Sequence, residues 1–191
     1  DSGRAAVLAM VLLFFTLNGA LFDASIAATD AQAHYDLGRP VTLVSAVLHD
    51  DAWVPYRDPS LGSPASPGYV SDDAVYAGAA AEAIRQVTGS NELASDTVTT
   101  WDRDGDGEQD QVGRWTVPGW IDPLDGTRHD PATLQWATLS DAATQASQAQ
   151  VWNGAAIRSA QEQGQAMGRL VGASAVVRAA GLWLGQVSST G

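Results

Sequence analysis

Ala20-Leu21-Phe22-Asp23-Ala24-Ser25-Ile26-Ala27-Ala28, running on through Gln32 to His34-Tyr35-Asp36-Leu37-Gly38-Arg39-Pro40-Val41-Thr42, is the stretch on which the fold turns. It continues the apolar run Ala5 to Leu17, so residues 4 to 35 read as one long helix, apolar on nearly all sides early and amphipathic later. A helix of that pattern is expected to be buried among others. Gly38-Arg39-Pro40 ends it, because proline lacks the next donor and holds the residue before it extended.

Outward from that turn, Leu43 to Tyr69 is rich in Pro, Gly, Ser and Asp and reads as loop. Ser71 starts a second helix over roughly 72 to 87, with Ser71 or Asp72 as its N-cap and acidic charge suited to a helix N-terminus. Ala74, Ala77, Ala80, Ala81 and Ile84 keep that helix slim, and Gly89-Ser90-Asn91 stops it. Residues 92–135 carry irregular, partly β structure, in which Trp101, Trp115, Trp120 and Trp136 form a hydrophobic cover. Two more helices follow, over about 141 to 152 and 155 to 186; Gly164, Gly168 and Gly172 permit close packing against the first helix. The chain reads as a mainly α, single helical-bundle domain over 1–191 with one insertion.

Three segments, Ala20 to Ala28 running into His34 to Thr42, Pro67 to Asp73, and Gln150 to Gly168, resemble in order and spacing the vanadium-dependent haloperoxidases and the phosphatidic-acid-phosphatase-type acid phosphatases, over about Leu17 to Gly172. Lys, six residues, Arg-Pro; then Pro-Ser-Gly-His; then Ser-Arg, five residues, His is the pattern of those families. The resemblance implies their helical bundle and places Arg39 at an inward-facing turn. Against the pattern, Gln32 stands in the lysine slot, Asp72 and Asp73 replace Gly and the acid/base His, Gln150 replaces the second Arg, and Ala156 replaces the vanadate- or phosphoryl-bonding His. Of the seven active-site positions, Arg39 and Ser71 alone keep the family residue, and Pro40 follows Arg39 as in the pattern. None of His34, His49 and His129 falls at a catalytic position.

An oxyanion leaving water needs its charge balanced. One Arg remains for it, and two carboxylates oppose it, each by several kcal/mol at about 4 Å if the effective dielectric is roughly 20. An alanine methyl at 156 neither coordinates nor attacks. No cofactor is therefore expected at the vanadate or phosphate position. Asp73, or less readily Asp72, is expected to swing onto Arg39, since an unpaired buried Arg is costly.

The chain of 191 residues has ten Arg, no Lys, 22 acidic residues, no Cys and a net charge of -12. That surface repels nucleic acid and anionic membranes, and disulfides and thiolate chemistry are excluded. Ala5 to Leu17 falls short of the roughly 20 residues a membrane span needs.

In Asp102-Arg103-Asp104-Gly105-Asp106-Gly107-Glu108-Gln109-Asp110, oxygen ligands alternate as in the first half of a calcium loop, with Asp102, Asp104, Asp106 and Asp110 as the ligands. Gly113 stands where a bidentate Glu belongs. The run is closer to the short Asp-rich calcium loops of secreted proteins, which leans toward an extracytoplasmic setting. Structural calcium and a solvated acidic turn both stay open.

The reading that results is a catalytically degenerate haloperoxidase-like protein, a structural or interaction subunit whose first helix needs covering by a second copy or another protein. Its alternative is an enzyme running non-oxidative acid/base chemistry with Asp73 as base and Arg39 orienting the substrate. An active haloperoxidase or phosphatase ranks last.

Overall fold

The computed structural model describes residues 2–56, 65–93, 99–101, 110–122 and 125–186. Four long helices make the bundle: α1 (Ser2–Tyr35), α3 (Asp72–Thr88), α4 (Leu139–Trp152) and α5 (Arg158–Trp183), with a single helical turn, α2 (Pro40–Leu43), after the Arg39 corner. α3 and α5 form the central pair; α1 packs on both from one side and α4 from the other, and α1 and α4 do not touch.

The central pair is held by a lack of side chains. A Cβ on Gly168 would lie 2.1 Å from the Val75 carbonyl oxygen, on Gly172 2.6 Å from that of Ala79, on Gly164 2.7 Å from that of Ser71, and on Gly78 2.5 Å from that of Gln165. The backbones therefore meet directly. The glycine stripe thus faces α3, not the first helix as its spacing had implied; α1 brings its own small stripe, Ala20, Ala24, Ala28 and Ala31. Val75 is the largest fully buried side chain among the described residues.

α1 departs from expectation at its N-terminal half. Its buried stripe begins only at Thr16, and Val7, Leu8, Val11, Phe14 and Phe15 are exposed. Length explains this: at 1.5 Å per residue α1 is roughly 51 Å long and α3 roughly 26 Å, so α1 overshoots its neighbours. Phe15 meets Trp183 at the end of α5, edge to face at 5.3 Å, and Leu12, half-buried, lines a hollow with Trp183 and Leu184. By length and composition alone the helical run Ser2–Leu48 could cross a membrane, with mean hydropathy 2.2 in its most apolar window, of which 11% is buried.

The segment after Arg39 is a second correction. Pro40–Leu43 is helical and Val44–Leu48 forms a π-helical turn that ends at His49, whose φ is 54°. Thr42 to Leu48 contains no breaker; the breakers begin at His49-Asp50-Asp51.

The insertion leaves and rejoins the bundle at one neck, where Leu93 N donates to Ala137 O at 3.2 Å and Leu139 N to Asn91 O at 2.8 Å. Beyond it lie an antiparallel sheet of β1 (Thr99–Trp101), β2 (Asp110–Val117) and β5 (Ala132–Trp136), in that order, and a hairpin of β3 (Trp120–Ile121) with β4 (Arg128–His129). Trp115 pairs with Leu134 across β2 and β5. α4 restarts the bundle with a capping box: Asp141 N donates to the Thr138 hydroxyl, and Thr138 N to the Asp141 carboxylate.

Candidate functional site

The three motif segments converge at the end of the α3–α5 seam. Gln32 ends the small stripe of α1 and is buried; its Nε2 donates to Val70 O at 3.1 Å. The amide in the lysine slot therefore closes a backbone acceptor of the second segment.

Arg39 caps α2 with extended backbone, φ -69° and ψ 161°, as the following proline requires. Its guanidinium donates to Ser66 O at 2.9 Å from Nε and to Ser66 Oγ at 2.7 Å from Nη2. Arg39 is thus bonded to the loop before α3, not to Asp73 as charge balance had implied. Gly68 lets that loop close on the corner, since a Cβ there would lie 2.9 Å from Gly38 O.

Ser71 holds the N-cap position of α3 and is buried, but its hydroxyl makes no cap bond; it accepts from Gln161 Nε2 at 3.2 Å. Ser71 N donates to Ala160 O at 3.1 Å. The expected capping by Ser71 is thus replaced by a cross-link between α3 and α5. Asp72 and Asp73 occupy the first turn, Asp72 half-buried and Asp73 exposed.

Gln150, in the last turn of α4, accepts through its carbonyl from Ala155 N at 2.9 Å and Ala156 N at 3.0 Å, which folds the α4–α5 turn back on itself. Its side-chain oxygen accepts from Asn153 Nδ2 at 3.3 Å. Ala156, which the sequence resemblance sets at the family histidine position, is 5% exposed, so its methyl stands in the interior. His34 is exposed, its ring against Tyr35, and takes no part.

Asp102, Asp104 and Asp106 lie outside the described residues, and of Asp110 the backbone alone is described, as the first residue of β2 opposite Trp101. Among the described residues no group of three or more His, Asp and Glu side chains is placed to hold a metal ion.

The sequence reading missed two features. Gln161, the buried partner of Ser71, carries no family signal; its i, i+4 relation to Gln165 on α5 was the available hint. The other is a cluster on the insertion. The Tyr56 hydroxyl donates to Asp122, and this bond raises the tyrosine above its ordinary pKa. His129 Nε2 lies 3.7 Å from the same carboxylate, with the His129 ring stacked on Trp120 at 4.7 Å.

Residues 12–185 match the family described as the VCPO second helical-bundle domain. Among solved structures, the chain is similar to an apo-type bacterial vanadium-dependent chloroperoxidase at 17% identity and TM-score 0.70, covering 92% of this chain and 38% of that one. It is similar to a bacterial vanadium-dependent iodoperoxidase at 22% identity and TM-score 0.61, covering 90% and 34%. A holo-type bacterial vanadium-dependent chloroperoxidase matches at 17% identity and TM-score 0.64, covering 84% and 34%. The chain thus spans little more than a third of the length of these structures, and at such identities they speak to the fold. A comparison with curated proteins finds no match.

Proposed function

This chain belongs to the VCPO second helical-bundle domain family, and from that premise we propose that it is a catalytically degenerate member serving as a structural or interaction subunit of an assembly. The observation that carries the proposal is the burial of Ala156, 5% exposed, at the position where the family bonds its oxyanion. The remaining groups do not fit vanadate or phosphate. Gln32 is neutral and committed to Val70 O, Arg39 is committed to Ser66, and Ser71 is committed to Gln161. Freeing each would break a bond worth about 1 kcal/mol, more where the donor is charged, for an anion that meets a single cation. The acid/base alternative gains no support from the placement of its two residues: Asp73 is exposed, and Arg39, which was to orient the substrate, is bonded to Ser66.

The interaction part rests on the first half of α1. Its exposed Val, Leu, Met and Phe side chains need a covering layer, supplied by a second copy or another protein or helical unit. Calcium, if the Asp-rich run takes it up at millimolar concentration in calorimetry, is a structural ion at a hairpin and adds no chemistry.

Two measurements test the reading. Bromination of monochlorodimedone with added vanadate, and hydrolysis of p-nitrophenyl phosphate, are both expected to stay at the level without protein; vanadate-dependent turnover would overturn the degenerate site. Light scattering of the purified chain is expected to show a stable assembly, alone or with what co-purifies. A monodisperse monomer would remove the subunit role.

A further inference from the structure

We propose that the trench between α4, α5 and β5 is a binding site for a neutral carbohydrate, a short oligosaccharide rather than an ion. It consists of two hollows, of about 240 Å³ and about 390 Å³, which share Thr144, Gln148 and Trp152 as lining residues. Small-molecule sites occupy about 300–1,000 Å³, so each hollow is near the lower limit and suits one ring of a chain of sugars.

The hydrogen-bonding inventory defines the ligand. Gln161, 3% exposed, lines the smaller hollow; its Nε2 is spent on Ser71, and its Oε1 is buried with no partner among the described residues. A buried amide oxygen left in that state costs about 1–3 kcal/mol, and a ligand hydroxyl that met it through a turn of the Gln161 amide toward the hollow would remove the penalty. Beside it, Gln165 Nε2 donates to Thr144 Oγ1 at 3.0 Å, which leaves the Gln165 oxygen to accept and the Thr144 hydroxyl proton to donate. The wall therefore carries both acceptors and a donor. Hydroxyl groups, each able to donate and accept, match such a wall where a carboxylate or an ammonium would not.

Charge and apolar surface agree. Arg158 and Glu162 on the rim are one α-helical turn apart and opposite in sign, and Asp141 borders the larger hollow, so no net positive field draws an anion. Trp152, 64% exposed, and Trp136, half-buried with its Nε1 donating to Gln145, supply flat indole faces of the kind on which the C–H face of a sugar ring stacks. Ser71 is linked to the trench through Gln161, whereas the residues named as lining the trench lie on α4, α5 and β5 and none on α1. The site is therefore independent of whether the α1 face binds a partner.

Titration of the whole chain with maltotetraose, cellotetraose and chitotetraose, followed by the tryptophan indole N–H resonances, tests the proposal. At least one sugar is expected to shift the Trp152 and Trp136 signals at millimolar concentration or below. Trp152→Ala and Gln165→Ala are each expected to weaken that binding about tenfold with unchanged thermal melting, and Leu170→Ala, on the exposed side of α5, to leave it unaltered. Trp152→Phe should recover part of the loss. The proposal fails if none of the three sugars moves either indole signal, if Trp152→Ala binds as tightly as the parent, or if only an uncharged Gly-Ser peptide produces the shift.

Discussion

The α3–α5 seam and the outer face of α1 use opposite residues for opposite ends. In the seam, glycines and alanines bring two backbones together, and a single added methyl at Gly168 would sit 2.1 Å from a carbonyl oxygen. On α1, Val7, Leu8, Phe14 and Phe22 point away from the small stripe and into the open. Cohesion thus comes from close backbone approach and the dispersion contacts it permits, whereas many of the large apolar groups, which usually fill a core, stand exposed on α1. Total apolar content, 45% here, would not distinguish the two.

The largest effect should come from filling the seam. Gly168→Val forces α3 and α5 apart and is expected to cost about 3 kcal/mol or more, read as loss of the cooperative thermal transition; a variant melting within a few degrees of the parent would show that the helices can slide. Next is Gln32→Leu at the end of the α1 stripe. It removes the donor to Val70 O and is expected to cost about 1–3 kcal/mol in urea unfolding, with no change in any phosphate or vanadate affinity. A gain of anion binding on Gln32→Lys alone would instead show that the pocket can still be recharged. Thr138→Ala, which breaks the capping box of α4, should cost about 1 kcal/mol. Smallest in stability is the double change Phe14→Asp with Phe22→Asp: within about 0.5 kcal/mol in unfolding, yet abolishing the assembly that light scattering is expected to show. If that pair unfolds the chain, α1's outer face belongs to the core after all and the contrast with the seam disappears.

Much of the bundle was legible because helices announce themselves locally. Pro40, Gly89 and the run of alanines over 74–81 place breaks and slim faces that the structure repeats within a residue or two. The Arg39 corner was legible for the same reason, a proline restricting the residue before it. Partners were not. Arg39 was expected to meet Asp73 by charge, but Ser66 lies close enough to offer both a carbonyl and a hydroxyl, which no charge count contains. Ser71 was expected to cap its own helix, yet Gln161, 90 residues away in sequence, takes its hydroxyl. The glycine stripe was read correctly as a packing surface and assigned to the wrong helix, since period alone names a face and not its neighbour.

The sequence by itself determined where the four long helices run and stop, and which residues stand at the positions that the family resemblance matches, because these follow from backbone restriction and from the identity of single residues. The tertiary structure alone decided which helix the glycines meet, what Gln32, Arg39 and Ser71 bond to, and that half of α1 stays uncovered. Those outcomes depend on distances between segments far apart in the chain, and such distances are set by how helices of unequal length and thickness pack.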